Sequence, residues 1–323
     1  MNATVQDHVT VSVIVLTYNH EKYVRQALDS ILMQKTTFAY EILVGDDAST
    51  DGTAEILKEY QKKYPNIFRL FLREKNVGAT KNSYELLTSA KGRYLATCEG
   101  DDYWTDPNKL QLQVDFLEKH PDYIGCAHRF MIVDDDGCRL SRQHLRWVRF
   151  RERFRLEDFQ GLYLPSQPST FVRRNLFLSS SEDYTVIYTA NPMIADRTLI
   201  LIFLCRGDFY TMDRVMSCYR QAHKGGSATT QLYNRNKPYI EMDQQLNERL
   251  EQYASQLLQR EIVFEGRRQD LFVSTLAALV RHRDRRYLKL AGTMLAQTRK
   301  PMKMLLSLPI CVVRKIVWRV NKN

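Results

Sequence analysis

The stretch from Val11 to Gln34, VSVIVLTYNHEKYVRQALDSILMQ, contains a strand, a turn and a helix in that order. Residues 11–16 form a short run of apolar, mostly β-branched side chains, which is typical of a buried strand. The polar turn TYNH follows, and from Tyr23 to Leu32 apolar residues return at the spacing of one helical face. A strand that leads into an amphipathic helix is the repeating unit of α/β proteins, so this stretch predicts that class.

The same alternation of strand and helix continues as far as residue 98. Further strands are predicted at 40–45, 68–72 and 93–98, with a turn and helix over 48–64 and a helix over 76–90 between them. The resulting order, βαβαβαβ, predicts a mostly parallel, Rossmann-like central sheet flanked by helices. Ligands of such sheets bind beyond the carboxyl ends of the strands, so the residues after each strand are the first candidates for a site.

Polar residues directly follow three of these strands: Thr17, Tyr18 and Asn19, then Asp46 and Asp47, and then Glu99, Gly100, Asp101 and Asp102. Because parallel strands end at one edge of a sheet, these residues predict a single site. Glu99, Asp101 and Asp102 lie so close together that they repel one another unless a cation or many hydrogen-bond donors offset their charge. Carboxylate oxygens suit Mg²⁺ or Mn²⁺, the ions that bridge diphosphates, so the pattern predicts such a metal.

Two common nucleotide motifs are missing from the sequence. No GxGxxG follows the first strand and no GxxxxGK[ST] occurs, which argues against the usual dinucleotide-binding fold and against a P-loop enzyme. Phosphate groups then have to be bound through a metal, basic side chains or helix N-termini.

The pattern changes after residue 120. The segment YIGCAHRFMIVDDDGCRL predicts two strands around a turn at Asp134, Asp135 and Asp136. STFVRR (169–174) predicts a strand, ADRTLILIFLCRG (195–207) predicts a helix ended by Gly207, and the chain is predicted helical from Tyr239 onward. The predicted domains are residues 1–235, with a first half at 1–125 and a second half at 126–235, and a helical basic region at 236–323.

Four segments of the first half carry a resemblance to a known family. VSVIVLTYNHEKYVRQALDSIL, ILVGDDASTDGT, NVGATKN and CEGDDYWTDP, in this order within residues 10–125, together resemble the inverting glycosyltransferases of family 2, which have the GT-A fold. The resemblance implies a nucleotide-sugar donor, often linked to UDP, and a divalent metal, Mg²⁺ or Mn²⁺. It also implies transfer to the hydroxyl of a glycan or glycolipid acceptor with inversion, in the synthesis of cell-surface polysaccharide or lipopolysaccharide.

The resemblance also assigns roles to residues at the strand ends. Asp47 matches an aspartate that accepts a hydrogen bond from the base, and Glu99-Gly100-Asp101 matches the DxD element, whose first acid faces the ribose and whose last holds the metal. The first acid here is Glu rather than Asp, which leaves open whether Asp101 or Asp102 is the principal metal ligand. The residues assigned to the nucleotide are Thr17, Tyr18, Asn19, Asp46, Asp47, Lys81, Glu99 and Gly100.

The resemblance makes residues 1–125 the nucleotide-sugar half and residues 126–235 the acceptor half, and the acceptor half matches the family less closely. Asp196, before an apolar helix, stands where the family places its catalytic base, although such an acid also serves as an ordinary helix cap. Glu182 and Asp183 are the next candidates for the base. In VMSCYRQAHKGGSAT, His223 is expected to bind the metal or the diphosphate, with Lys224 beside it, whereas Tyr219 and Arg220 are expected to be structural. Tyr103 and Trp104 either form the floor of the sugar pocket or pack under the sheet.

The positive charge of the chain is concentrated at its end. Ten of the 47 Lys and Arg residues and no acid follow position 284, so the first 284 residues are balanced. The tail RKPMKMLLSLPICVVRKIVWRVNKN, broken at Pro309, mixes this charge with apolar residues, which predicts either an interfacial segment on an anionic membrane or a packed terminal helix.

Composition and the remaining motifs narrow the alternatives. Six cysteines without a CxxC pair, and no signal peptide, predict a cytoplasmic protein, peripheral on the inner face of the membrane if the tail binds it. No helix-turn-helix, zinc spacing or RNA-binding signature is present, so nucleic acid is not expected as a partner. The alternative functions are a sugar nucleotidyltransferase, which would need a glycine-rich basic loop after the first strand, and a non-catalytic carbohydrate-binding module.

Overall fold

The computed structural model of the protein describes residues 9–178, 180–221, 239–298 and 301–306. The chain divides into two compact units. The first comprises Met1–Phe159 and Tyr163–Gln231, and the second comprises Gln160–Leu162 and Leu232–Asn323. The predicted boundary at residue 235 remains a prediction.

The first unit is built on one sheet, to which the described residues contribute nine strands. They are β1 Val11–Thr17, β2 Tyr40–Asp46, β3 Phe68–Leu72, β4 Tyr94–Glu99, β5 Tyr103–Trp104, β6 Tyr123–Val133, β7 Arg153–Phe154, β8 Val172–Arg174 and β9 Asp208–Arg220.

The order of the strands brings three predicted polar segments together. The sheet runs β3-β2-β1-β4-β8-β6-β9-β5, with β7 also paired to β9. The first four strands are parallel, and Thr17 lies opposite Asp46 while Leu16 lies opposite Glu99. The ends of β1, β2 and β4 therefore meet at one edge, as the sequence predicts. β8 is antiparallel to both β4 and β6 and joins the second half of the chain to this sheet.

Helices cover the sheet in the first unit. They are α1 Val24–Leu32, α2 Thr53–Lys63, α3 Ala79–Ser89, α4 Lys109–Lys119, α5 Leu156–Phe159, α6 Val186–Thr189 and α7 Asp196–Leu204. The apolar face of α1, with Val24, Leu28 and Ile31 fully buried, packs in the main core with the side chains of β1 and β2. The predicted α/β class and the parallel part of the sheet are confirmed.

One predicted strand does not form. After the turn at Asp134, whose Oδ1 accepts hydrogen bonds from the amides of Asp136 and Cys138, the returning chain pairs with β6 through the bridge between Val133 and Arg139 and through a hydrogen bond from the Leu140 amide to the Ile132 carbonyl, at 3.0 Å. Beyond this point the side chain of Gln143 binds Ile132: its oxygen accepts a hydrogen bond from the Ile132 N–H and its nitrogen donates to the Ile132 C=O, at 2.9 Å each. The Ile132 N–H is therefore not available to a second strand.

The second unit is helical, as predicted. Its described helices are α8 Tyr239–Leu258, α9 Glu265–His282, α10 Arg285–Gln297 and α11 Pro301–Leu306. Ile240, Phe272 and Met294 are among the residues of its apolar core. The buried carboxylate of Glu251 accepts a hydrogen bond from the Phe264 amide and pairs with Arg268, which ties α8 to the start of α9. In the described part of the chain, no helix is both long and apolar enough to span a bilayer.

Candidate active site

The ends of β1 and β2 are fastened to each other by Asp46. The Thr17 hydroxyl donates a hydrogen bond to Asp46 Oδ1 at 3.0 Å, and Asp46 also accepts hydrogen bonds from the hydroxyl and the amide of Ser49. The amide of Asp47 in turn donates to the Thr17 carbonyl at 3.0 Å. Thr17 and Asp46 are both buried, so their clear structural role is to hold the two strand ends in one geometry.

Tyr18 lies exposed between anchored neighbours. The backbone of Asn19 is left-handed, with φ of 57°, and its side-chain oxygen accepts a hydrogen bond from the Thr50 amide at 2.8 Å. The Asn19 amide donates to the Ser49 hydroxyl. Asn19 therefore links the turn after β1 to the loop after β2. The Tyr18 side chain lies at this edge of the sheet and is 38% exposed.

Asp47 organises the loop before α3. Its two carboxylate oxygens accept hydrogen bonds from the amides of Val77, at 2.7 Å, and Gly78, at 2.9 Å. Gly78 has a φ of 88°, a conformation that strains other residues. Each carboxylate oxygen has a second lone pair, so Asp47 can still accept a hydrogen bond from a ligand. Lys81, exposed in the first turn of α3, follows this loop.

The acidic turn after β4 can form only with glycine at its centre. The Gly100 amide donates to the Leu16 carbonyl, and a Cβ there would lie 2.6 Å from Thr17 Cγ2 and 2.7 Å from His20 Nδ1. Any side chain would push the turn away from β1. His20 was not singled out by sequence reasoning, although it is the last residue of the TYNH turn, and its Nε2 lies 4.0 Å from Asp101 Oδ2.

The two aspartates of this turn are in different environments. Asp102 is 1% exposed, and its oxygens accept hydrogen bonds from the Ser169 hydroxyl, at 2.5 Å, and the Arg220 amide, at 2.9 Å. The Asp101 side chain is 35% exposed. Ser169 also accepts a hydrogen bond from the Glu99 amide and so braces both ends of the turn, a role for which PSQPST gives no sequence signal.

Arg220 holds the turn from the other side. Its Nε donates to the Asp101 carbonyl at 2.9 Å, its Nη1 donates to the carbonyls of Asp134 and Asp135, and its guanidinium stacks on the ring of Tyr23 at 4.5 Å. The structural role expected for Arg220 agrees with these contacts. Because its hydrogen bonds from these nitrogens go to backbone carbonyls, they fix the turn without pairing the carboxylates of the site.

The repulsion between the acids of the site is only partly offset by positive charge, since Arg220 lowers the pKa of Asp102 and Arg173 lowers that of Asp196. Burial raises the pKa of Glu99 well above its usual range, and the charges of Asp196, Asp101 and Asp102 raise that pKa further. The pKa of Asp102 is raised by burial and by the charge of Asp101, against the hydrogen bonds it accepts. A divalent cation would relieve this repulsion, and the half-exposed Asp101 offers the hard oxygen ligand that Mg²⁺ or Mn²⁺ prefers. No group of three or more His, Cys, Asp or Glu side chains among the described residues is arranged to hold a metal without further ligands.

Asp196 is the first residue of α7 and is half-buried. Burial raises the pKa of its carboxyl to about 6, and the charge of Arg173 opposes the increase. The preceding loop is fixed by Asn191, whose side-chain oxygen accepts hydrogen bonds from the amides of Met193 and Ile194.

That loop is bound to α3. The Thr80 hydroxyl, in the first turn of α3, donates to the Pro192 carbonyl at 3.0 Å. Asp196 therefore follows a loop that contacts the helix organised by Asp47. The charge of Asp196 also raises the pKa of Glu99, so the start of α7 and the end of β4 interact electrostatically.

The other candidate residues divide into three groups. Glu182 pairs with Arg206, and Asp183 accepts a hydrogen bond from the Thr185 amide, which lowers the Asp183 pKa, so both acids have structural partners. Trp104 is 1% exposed and its indole N–H donates to the Ser169 carbonyl, so it packs under the sheet, whereas Tyr103 is half-buried. His223 and Lys224 lie outside the described residues.

Comparison with known proteins identifies relatives of the first unit. Residues 12–179 match the family model described as Glycosyl transferase family 2. Rv1520 of Mycobacterium tuberculosis is 45% identical over 139 residues, which are 43% of this chain and 40% of that protein. The putative teichuronic acid biosynthesis glycosyltransferase TuaG of Bacillus subtilis is 35% identical over 135 residues, 41% of this chain and 51% of that protein. The chain thus spans about half of these relatives' length or less.

A solved structure shares the fold over a longer part of the chain. The structure of S. aureus TarS 1–349 in complex with UDP-GlcNAc has a TM-score of 0.55 and 20% sequence identity, and the match covers 77% of this chain and 70% of TarS. At this identity the match shows a common fold, the GT-A arrangement expected from the sequence, and carries no information on the ligand of this chain.

Proposed function

This chain belongs to glycosyl transferase family 2, and we propose that it transfers a sugar from a nucleotide-sugar, with UDP as the nucleotide, to an acceptor hydroxyl with inversion. The proposed acceptor is a glycan or glycolipid of cell-surface polysaccharide synthesis. The name of TuaG, a putative teichuronic acid biosynthesis enzyme, supports this choice of pathway.

One observation carries the proposal. Asp196 is a half-buried carboxylate with a pKa of about 6, it follows the loop that the Thr80 hydroxyl binds to α3, and its charge acts on Glu99 at the end of β4. The strand ends provide a place for the nucleotide, and the carboxylate provides a base beside it. A general base works best when its pKa lies near the working pH, because it is then ionised and still holds the proton it takes. Burial at the start of α7 raises the pKa of the Asp196 carboxyl towards the working pH.

In the proposed reaction Asp196 removes the proton of the acceptor hydroxyl as its oxygen attacks the anomeric carbon of the donor. Tyr18 and Asn19 contact the nucleotide, Asp47 accepts a hydrogen bond from the base and Glu99 faces the ribose, as the resemblance to the family implies. Asp46 and Thr17 keep the nucleotide-binding strand ends in register, and Lys81 is placed near the nucleotide by the loop that Asp47 anchors.

A divalent cation fits this site. Asp101 would hold it, because its carboxylate is the accessible acid of the turn, and Asp102 would fix the turn through Ser169 and Arg220. His223 remains a further proposed ligand. When bound, the cation stabilises the negative charge that develops on the departing diphosphate.

The second unit supports a peripheral attachment to anionic membrane. Val280, Leu288, Met302 and Leu306 are 60–79% exposed, in a region rich in Arg and Lys. Apolar side chains interspersed with positive charge favour the surface of an anionic bilayer. Most of the basic tail, from residue 307, lies outside the described residues.

The test is a panel of UDP-, GDP-, TDP- and CMP-sugars with the full chain and Mn²⁺. We expect a thermal shift and slow donor hydrolysis with a UDP-sugar, and loss of both in EDTA. Preference for a GDP-, TDP- or CMP-sugar would show that the nucleotide of the donor is not UDP. Equal nucleotide-sugar binding with Mn²⁺ and in EDTA would contradict the proposed role of the metal. No response to any nucleotide-sugar would contradict the proposed sugar transfer.

A further inference from the structure

A group of exposed arginines follows the turn at the end of β6. Arg139, Arg142, Arg146 and Arg149 are all exposed, and we call these four residues the basic strip. Residues 137–151 contain no Asp or Glu. Because residues 1–284 as a whole carry balanced charges, the basic strip is a local excess of positive charge in the first unit.

The arginines that come next in the chain are neutralised by acids of the fold. Arg151 forms an ion pair with Asp158, and Arg153 forms one with Asp208. In contrast, none of the ion pairs among the described residues includes Arg139 or Arg149. The charge of these two arginines is therefore available to a partner.

The residues between the arginines hold the basic strip against the sheet. Leu145 and Val148 are buried in an apolar cluster with side chains of β6. The Arg149 amide donates a hydrogen bond to the Leu164 carbonyl at 2.9 Å. The arginines therefore extend into solvent from a backbone that is fixed by packing and by hydrogen bonds.

Aromatic rings lie beside the arginines of the basic strip. Trp147 and Phe150 are half-buried and pack against the same apolar cluster. The guanidinium of Arg149 packs over the ring of Tyr163, which is also half-buried. Partly exposed aromatic rings are favoured at the headgroup level of a bilayer, and arginines beside them are attracted to anionic headgroups.

The basic strip begins beside the candidate active site. Arg139 pairs with Val133 at the end of β6, and the turn between them includes Asp134. Arg220 donates to the carbonyl of Asp134 and also to that of Asp101 in the acidic turn, at 2.9 Å each. A surface bound to the start of the strip therefore lies close to the edge of the sheet that carries the acidic turn.

We propose that the basic strip binds the anionic headgroups of a lipid bilayer and so holds this edge of the sheet near the membrane surface. The first unit then has a membrane contact of its own, separate from the exposed apolar residues of the second unit and from the tail. Stable attachment takes two signals, so the strip adds to the tail and does not replace it. Sugar transfer to a soluble acceptor does not depend on this contact.

The first experiment compares two double variants of the full chain that lose the same charge. Arg139→Gln with Arg146→Gln removes half of the basic strip. Lys62→Gln with Lys63→Gln removes two exposed charges from the end of α2, which contacts β2 and β3 in the other half of the sheet. Binding to phosphatidylcholine vesicles with and without phosphatidylglycerol is measured by flotation, and donor hydrolysis is measured without vesicles on the same preparations.

We expect the strip variant to bind phosphatidylglycerol vesicles about 25-fold more weakly than the wild type, because each arginine near an anionic surface strengthens binding about fivefold. The Lys62 and Lys63 variant should stay within about twofold of the wild type, since charges far from the bilayer are screened by salt. Donor hydrolysis should be unchanged in both variants.

Trp147 provides a second measurement, which separates the strip from the tail. Trp104 is 1% exposed and Trp318 belongs to the tail, so in Trp318→Phe only Trp147 is placed to meet lipid. A lipid with a nitroxide on its headgroup should quench the fluorescence of vesicle-bound Trp318→Phe. This quenching should disappear when Trp147→Phe is added.

Each of three results would overturn the proposal. Equal weakening by the two double variants, or none by either, would show that the strip makes no contact with the bilayer. Unquenched Trp147 in vesicle-bound protein would show that the strip faces away from the lipid. Strip-dependent binding to dextran sulfate or a DNA duplex as tight as binding to vesicles would make the partner a soluble polyanion. Absence of donor hydrolysis in the wild type would instead contradict the proposed function and leave the vesicle measurements unaffected.

Discussion

Replacing Asp196 with Asn removes the proposed base and little else. Asn keeps the shape of the side chain and the start of α7, and Asp196 lies in a site where its charge is already penalised by burial. We therefore expect Asp196→Asn to fold and to bind donor and metal as the wild type does. Transfer should fall by about 10²–10⁴-fold, the usual contribution of a positioned general base.

The pKa of Asp196 gives this prediction a second measurable form. The base acts when ionised, so the rate should rise with pH through its pKa of about 6. A single group of that pKa is roughly nine-tenths ionised near pH 7 and about one-tenth ionised near pH 5, so kcat/KM for transfer should fall about tenfold between these values. In Asp196→Asn this acidic limb should disappear, because no group with that role remains.

The assay separates chemistry from binding on one preparation. Donor affinity with Mn²⁺ is measured by calorimetry, and transfer to the acceptor is followed by release of the nucleotide. Glu182→Gln is the matched control, because Glu182 pairs with Arg206 and should leave transfer near normal. Normal transfer in Asp196→Asn with intact donor binding would refute the assignment. Loss of transfer in Glu182→Gln instead would move the base to that acid.

Three further outcomes are expected. Asp101→Ala should abolish the effect of Mn²⁺ on nucleotide affinity, measured by calorimetry with and without EDTA, and Asp102→Ala should chiefly lower the melting temperature; the reverse pattern would make Asp102 the ligand. Asp47→Ala should weaken UDP binding by about 1–3 kcal/mol, because two backbone amides and the base lose an acceptor, and unchanged affinity would remove Asp47 from the site. Deleting residues 300–323 should release the protein from anionic vesicles in flotation without loss of donor hydrolysis, whereas full retention would make the tail structural.

The parallel half of the fold follows from local sequence. Each strand from β1 to β4 is a compact apolar run, and each helix between them repeats apolar residues at helical spacing. The periodicity of apolar residues and the order of the elements are therefore sufficient to predict this half of the fold. Helix α1 begins at Val24, three residues later than the segment EKYVRQALDSILMQ, because the His20 carbonyl accepts the amides of Tyr23 and Val24 and closes the turn first. The missing strand after Asp134 depends on the Gln143 side chain, and such contacts leave no periodic signal.

The site was predictable where it follows strand ends and unpredictable where it comes from elsewhere. The residues after β1, β2 and β4 could be named because parallel topology brings them to one edge. Ser169 and His20 contact the same turn from distant parts of the chain. Their side-chain types are common in turns and strands, so nothing in the sequence distinguished them from ordinary structural residues.

Glu99 stands in place of the first aspartate of the DxD element, so the sequence leaves both Asp101 and Asp102 as candidates for the metal ligand. The free-energy cost of binding a cation differs between these two acids. Asp102 is 1% exposed, so a cation could reach its oxygens only by displacing the Ser169 hydroxyl or the Arg220 amide that covers them. Each loss leaves a buried donor unpaired, at a cost of about 1–3 kcal/mol. Asp101 is a third exposed, and among the described residues its ion-pair partner is His20, at 4.0 Å, so its oxygens reach a cation without that cost. This difference favours Asp101 as the ligand and Asp102 as the residue that shapes the turn around it.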